Sequence, residues 1–91
     1  MENERRQVLY RGLVQGVGFR YMACNIAQRY QVQGYVMNMP DRSVQLVVEG
    51  AADELDRFLA ELAETMSGKI RDTIVERLPA SGEFGEFRIE H

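Results

Sequence analysis

Gln15-Gly16-Val17-Gly18-Phe19-Arg20 is the stretch whose residue types and spacing could do chemistry. Glycines tolerate positive φ and let a backbone approach a ligand closely, so successive N–H groups can converge on one point. A helix beginning there adds partial positive charge, and Arg20 adds an ionised fork suited to phosphate oxygens. A tight turn with a solvated arginine is the plainer alternative, but the two glycines and the arginine fall together at a turn-to-helix step. No third glycine follows at the dinucleotide spacing and no Gly-Lys-Ser/Thr closes a P-loop, so a small dianion fits better than a nucleotide.

Ninety-one residues make a single expected domain, 1–91, with 1–6 read as a mobile N-terminal tail. With 45% hydrophobic and 27% charged residues, the composition is that of a globular protein. No apolar run reaches membrane-spanning length, so a cytoplasmic protein with no membrane partner is expected. One cysteine, Cys24, and one histidine, His91, supply neither a disulfide, nor a metal cluster, nor a Ser-His or Cys-His dyad. No metal and no cofactor are expected. Net charge is −3, yet residues 1–50 carry six arginines against four carboxylates, so the positive half holds the anion loop. That suits steering of a small anion and lacks the dense basic patch of a nucleic-acid binder.

The elements that must position the loop follow from periodicity. Gln7 to Val14 reads as a strand and Arg20 to Tyr30 as a helix, with Met22, Ala23, Ile26, Ala27 and Tyr30 on one face. Gly34 to Asn38 and Ser43 to Glu49 read as strands joined at Met39-Pro40-Asp41-Arg42, where proline presets a turn. Val44, Leu46 and Val48 face the core, while Gln45 and Glu49 meet water. Ala52 to Met66 is an amphipathic helix, Lys69 to Leu78 a strand, and Glu86 to Glu90 a short terminal strand. The order defines an α+β, ferredoxin-like split βαβ sandwich (βαββαβ): an antiparallel sheet, two helices on one face and a short extra C-terminal strand. A helical crossover makes the first two strands parallel, with the third between them. The glycine loop and Asn38 should then face each other at one sheet end, on the order of 10 Å apart by strand spacing. Asparagine beside Pro40 and Asp41 could simply stabilise a turn. Beside an anion loop, its amide could aim a water at a bound phosphorus.

G-L-V-Q-G-V-G-F-R (12–20), G-Y-V-M-N (34–38) and P-D-R-S-V (40–44) together resemble the acylphosphatases, and the element order agrees over nearly the whole chain. The resemblance implies hydrolysis of small acyl phosphates to carboxylate and inorganic phosphate. It gives Arg20 and the backbone amides of Gln15, Gly16, Val17, Gly18 and Phe19 the phosphate, and Asn38 the attacking water. Tyr35 stands where tryptophan is common, Met37 where a polar or basic residue is usual, and Arg42 where glycine usually turns the hairpin. If Arg42 takes positive φ, about 1–2 kcal/mol of strain is expected there. A non-catalytic anion-binding module of the same fold would keep the loop but tolerate changes at Asn38. An RNA-binding domain would need aromatics in the central strands, and a metal carrier two loop cysteines; neither pattern is present. A monomer is expected.

Overall fold

The computed structural model describes residues 2–91. Strands β1 (Asn3–Gly12), β2 (Gln33–Asn38), β3 (Val44–Ala51), β4 (Ile70–Pro79) and β5 (Arg88–Glu90) form one sheet in the order β4-β1-β3-β2-β5. Helices α1 (Phe19–Ala27) and α2 (Ala52–Thr65) complete the chain. As the crossover argument requires, β3 lies between β1 and β2 and is antiparallel to both. The C-terminal ends of β1 and β2 therefore share one end of the sheet.

Alternation builds the core. Val8 and Tyr10 of β1, Val36 of β2 and Val44, Leu46 and Val48 of β3 are buried against Ala23 and Ile26 of α1 and Leu55, Phe58 and Leu62 of α2. Each fully buried large apolar side chain contributes about 1.5–3 kcal/mol of transfer free energy. This core fixes the strand ends from which the site loops spring.

Four expectations need correction. The segment expected as a tail is, from Asn3 onward, the start of β1, with Glu4 paired to Gly50 on one side and Pro79 on the other; Met1 lies outside the described residues. Arg5 and Arg6 are ion-paired within the fold: buried Arg6 binds Glu4 at 2.7 Å and Asp56 at 2.8 Å, and Arg5 binds Glu49. Helix α1 stops at Ala27, where Arg29 and Tyr30 donate to Ile26 and Ala27 in tighter i→i−3 turns. The sheet is mixed, because β5 runs parallel to β2.

The fourth correction concerns Glu49, which does not face water. Joining β4 to β5 at opposite edges sends the chain across the sheet face away from the helices, and it buries Glu49 to 3% exposure. The Glu49 carboxylate accepts from Arg5 Nε (2.7 Å), from the amides of Ser81 and Gly82 (2.9 Å each) and from Ser81 Oγ (3.0 Å). Burial alone would raise its pKa, but these donors overcome that and hold it down at about 2. Arg5 also stacks over Phe84, 5.0 Å from the ring centroid, and Phe84 packs edge-on against Tyr35.

Candidate active site

β1 ends at Gly12, and residues 13–18 lead into α1 with Gly18 as its N-cap. Gly16 (φ 77°) and Gly18 (φ 79°) are both left-handed, and a Cβ at either would meet nothing within 4 Å. The backbone angle, not space, is what calls for glycine there, since an L-residue in that region costs about 1–2 kcal/mol. Phe19 is buried against Tyr10, ring centroids 4.9 Å apart, and so anchors the loop in the core.

A cavity of about 160 Å³ opens at this junction, lined by Val14, Gly16, Gly18, Phe19, Arg20, Tyr21, Asn38 and Ile89. Arg20 and Asn38, eighteen positions apart, thus reach one cavity as the topology demanded. No carboxylate lines it, and Arg20 has no ion pair with any described residue. Asn38 ends β2, its backbone fixed opposite Val44, while its side-chain Oδ1 is buried and accepts no hydrogen bond from any described residue. A buried unpaired amide oxygen costs about 1–3 kcal/mol. The turn-stabilising alternative for Asn38 fails, because Asp41 does that work: its Oδ1 accepts from Ser43 N (3.0 Å) and Ser43 Oγ (2.5 Å). The Ser43 side-chain and backbone donors hold the Asp41 carboxyl below the usual carboxylate range.

Of the expected cradle, Gly16, Gly18 and Phe19 line the cavity, whereas Gln15 and Val17 do not. Gln15 has another task. Its Nε2 donates to Met39 O and Ser43 O, both at 2.9 Å, tying the loop to the β2–β3 hairpin. That clamp ties the loop before Arg20 to the turn that follows Asn38. The hairpin holds its register despite Arg42, which is left-handed at φ 76°, and Met39 N still donates to Ser43 O at 2.9 Å. Val14, Tyr21 and Ile89 were not foreseen as lining residues. Val14 lies within the stretch 12–20 and Tyr21 directly follows it, but Ile89 arrives through the parallel addition of β5, which leaves no local signal.

An arginine without a counterion, amides bent into a left-handed loop and a buried amide oxygen suit a phosphoryl group with a water beside it. The class that fold and site define is a small phosphohydrolase built on a ferredoxin-like frame. The acylphosphatase family model matches residues 6–89, and the chain belongs to the acylphosphatase family, the enzymes that hydrolyse acyl phosphates. An acylphosphatase from Aeropyrum pernix is 39% identical over 89 residues, 96% of this chain and 88% of that one. One from Clostridium acetobutylicum is 34% identical over 87 residues, 94% of this chain and 96% of the other. The crystal structure of an acylphosphatase from Bacillus subtilis superposes with a TM-score of 0.87 at 26% identity, covering 97% of this chain and 99% of that one. No helix among the described residues is long and apolar enough to cross a membrane.

Proposed function

We propose that Arg20 and the amides of the Gly16–Phe19 loop bind the phosphoryl oxygens while Asn38 orients the water that attacks phosphorus. The observation that carries this reading is the shared cavity of an unpaired Arg20 and the unpartnered, buried Asn38 Oδ1. An acyl phosphate loses a carboxylate, which departs without protonation, and the loose transition state of phosphoryl transfer asks little of its nucleophile. Fixed positive charge on the equatorial oxygens and an aligned water then suffice. Metal is unnecessary to that scheme, and among the described residues no group of three or more His, Cys, Asp or Glu side chains could hold one.

The same reading makes the protein a cytoplasmic monomer that takes a small acyl phosphate and releases inorganic phosphate. The unpaired Cys24 fits a reducing compartment. Charges of both signs on the edge strand β4 (Arg71, Asp72, Glu76, Arg77) discourage edge-to-edge pairing. Purified protein should hydrolyse acetyl phosphate equally with and without a chelator, and Arg20→Lys should lose that activity because a point charge cannot replace the bidentate fork. Activity that vanishes on chelation, or that survives Arg20→Lys intact, would overturn the assignment.

A further inference from the structure

A second cavity, of about 200 Å³, opens at the same end of the sheet and is lined by Arg11, Gly12, Asp41, Arg42, Ser43 and Arg71. Alternation along β1 puts Arg11 on the face away from the helices, opposite to buried Tyr10. Two backbone irregularities direct the other arginines here. The β1–β4 register shifts between Arg11 and Gly12, and such a bulge re-aims the side chain it displaces, here Arg71. Gly12, at φ 133°, permits this approach: a Cβ there would stand 2.4 Å from Lys69 O and 2.7 Å from Arg71 N. On the hairpin, the left-handed Arg42 is the third arginine lining this cavity.

Three arginines around this cavity stand against two carboxylates, Asp41, which lies close enough for Arg11 to help hold it ionised, and Asp72. Neither Arg11 nor Arg42 has an ion pair with any described carboxylate, and Arg71 has only the exposed Asp72 at 3.1 Å. Asp41, the one acidic lining residue, is engaged through Oδ1 by Ser43 N and Oγ. Three arginines lining one concavity, one positive charge in excess of Asp41 and Asp72, form a local positive focus on a protein whose net charge is −3. Arginine forks pair bidentately with oxyanions, and three of them on one concavity match the several oxygens and double charge of a phosphate-class dianion better than the two oxygens of one carboxylate.

We propose that Arg11, Arg42 and Arg71 form a second oxyanion site, separate from the Arg20 cavity, that takes a phosphate-class dianion. That dianion is either a free phosphate ion or a second phosphate group at the far end of a substrate's acyl chain. Only the latter source rests on the acylphosphatase reading.

The test is a titration of the full chain carrying Arg20→Ala with inorganic phosphate, followed by amide NMR shifts against sodium chloride at equal ionic strength. Saturable shifts at Gly12, Arg42, Ser43 and Arg71 are expected, and adding Arg11→Ala with Arg71→Ala should weaken them by roughly tenfold or more, the loss expected of charge-assisted contacts. Arg71→Gln, at an exposed side chain, should move affinity the same way without threatening the fold. Amides that do not respond, that respond equally to chloride, or whose shifts survive both arginine replacements would overturn the site. With Arg20 intact, KM for acetyl phosphate and for an acyl phosphate ending in a second phosphate identifies the source. A rise confined to the second substrate on Arg11→Ala/Arg71→Ala assigns the site to substrate. Two unchanged KM values alongside phosphate-dependent shifts assign it to the free ion. Failure of the acylphosphatase reading would appear separately, as turnover that survives Arg20→Ala.

Discussion

Opposite ends of β1 hold two versions of one device. Near its start, Arg5 and the amides of Ser81 and Gly82, with Gly82 left-handed at φ 73°, surround the Glu49 carboxylate. Beyond its other end, Arg20 and a loop with Gly16 and Gly18 left-handed surround a cavity that no carboxylate enters. At the first the anion is a side chain, and the result is a clamp that pins the β4–β5 crossing to the sheet. At the second no side chain of the protein supplies the anion, and on the proposed reading the anion is the substrate's phosphoryl group. The same backbone and arginine chemistry thus gives stability or function according to whether the chain supplies the negative charge.

Exchanging the state of each end should break the comparison in opposite ways. Arg20→Ala removes the donor from the open end and should cut acetyl phosphate turnover by at least about 10²–10³, the scale for losing one charge-stabilising donor. Its melting temperature should be unchanged, as calorimetry would show; a protein that instead unfolds while keeping its specific activity would make Arg20 structural. Glu49→Gln at the closed end should do the reverse. Losing the charge in a nearly buried ion pair should cost about 2–3 kcal/mol, discounted because Arg5 is one-fifth exposed, while turnover per folded molecule stays the same. Chemical denaturation together with an activity assay separates the two outcomes.

Titration sharpens the contrast. Glu49 is held at about 2 in the fold against an ordinary value of 4.5, so the folded state favours its ionised form. Its stabilisation is complete above about pH 5 and is lost as pH falls toward the folded value. Denaturation midpoints should therefore fall between about pH 4.5 and 2 in the parent and change less in Glu49→Gln. The open end has no such dependence, since neither arginine nor asparagine titrates near neutrality. The rate at saturating substrate should be level from about pH 5 to 8 after correction for substrate ionisation. A bell-shaped profile would require an acid or base in the site.

The smallest effect belongs to the hairpin between the ends. Relief of the left-handed strain at Arg42 by glycine, less the added freedom of the unfolded chain, should stabilise the protein by about 0.5–1 kcal/mol, with kcat unchanged. A drop in kcat would mean that the strained turn helps to place Asn38.

The open end was legible in the chain because its signals are local: two glycines beside Arg20, and Asn38 at the end of a strand that a helical crossover makes parallel to β1. The stripe of Leu55, Phe58 and Leu62 likewise fixed the second helix. The closed end was not legible. Glu49 follows Val48 at a solvent-facing position by period, and only a crossing more than thirty residues later buries it. Glu4, Arg5 and Arg6 read as a charged tail because their partners, Pro79, Glu49 and Asp56, are far off in sequence. Gln15 was read only for its place in the loop, whereas its side chain bridges two elements through the hairpin carbonyls.

The division of labour at the open end is the central claim, and Asn38→Ala tests it most directly. Turnover of acetyl phosphate and the competitive inhibition constant of inorganic phosphate should be measured on the same preparation. With Arg20 and the loop amides holding phosphate and Asn38 placing the water, kcat should fall by about 10²-fold or more while the inhibition constant stays within about twofold. A collapse of phosphate affinity in parallel with kcat would contradict the account, making Asn38 a binding or structural residue.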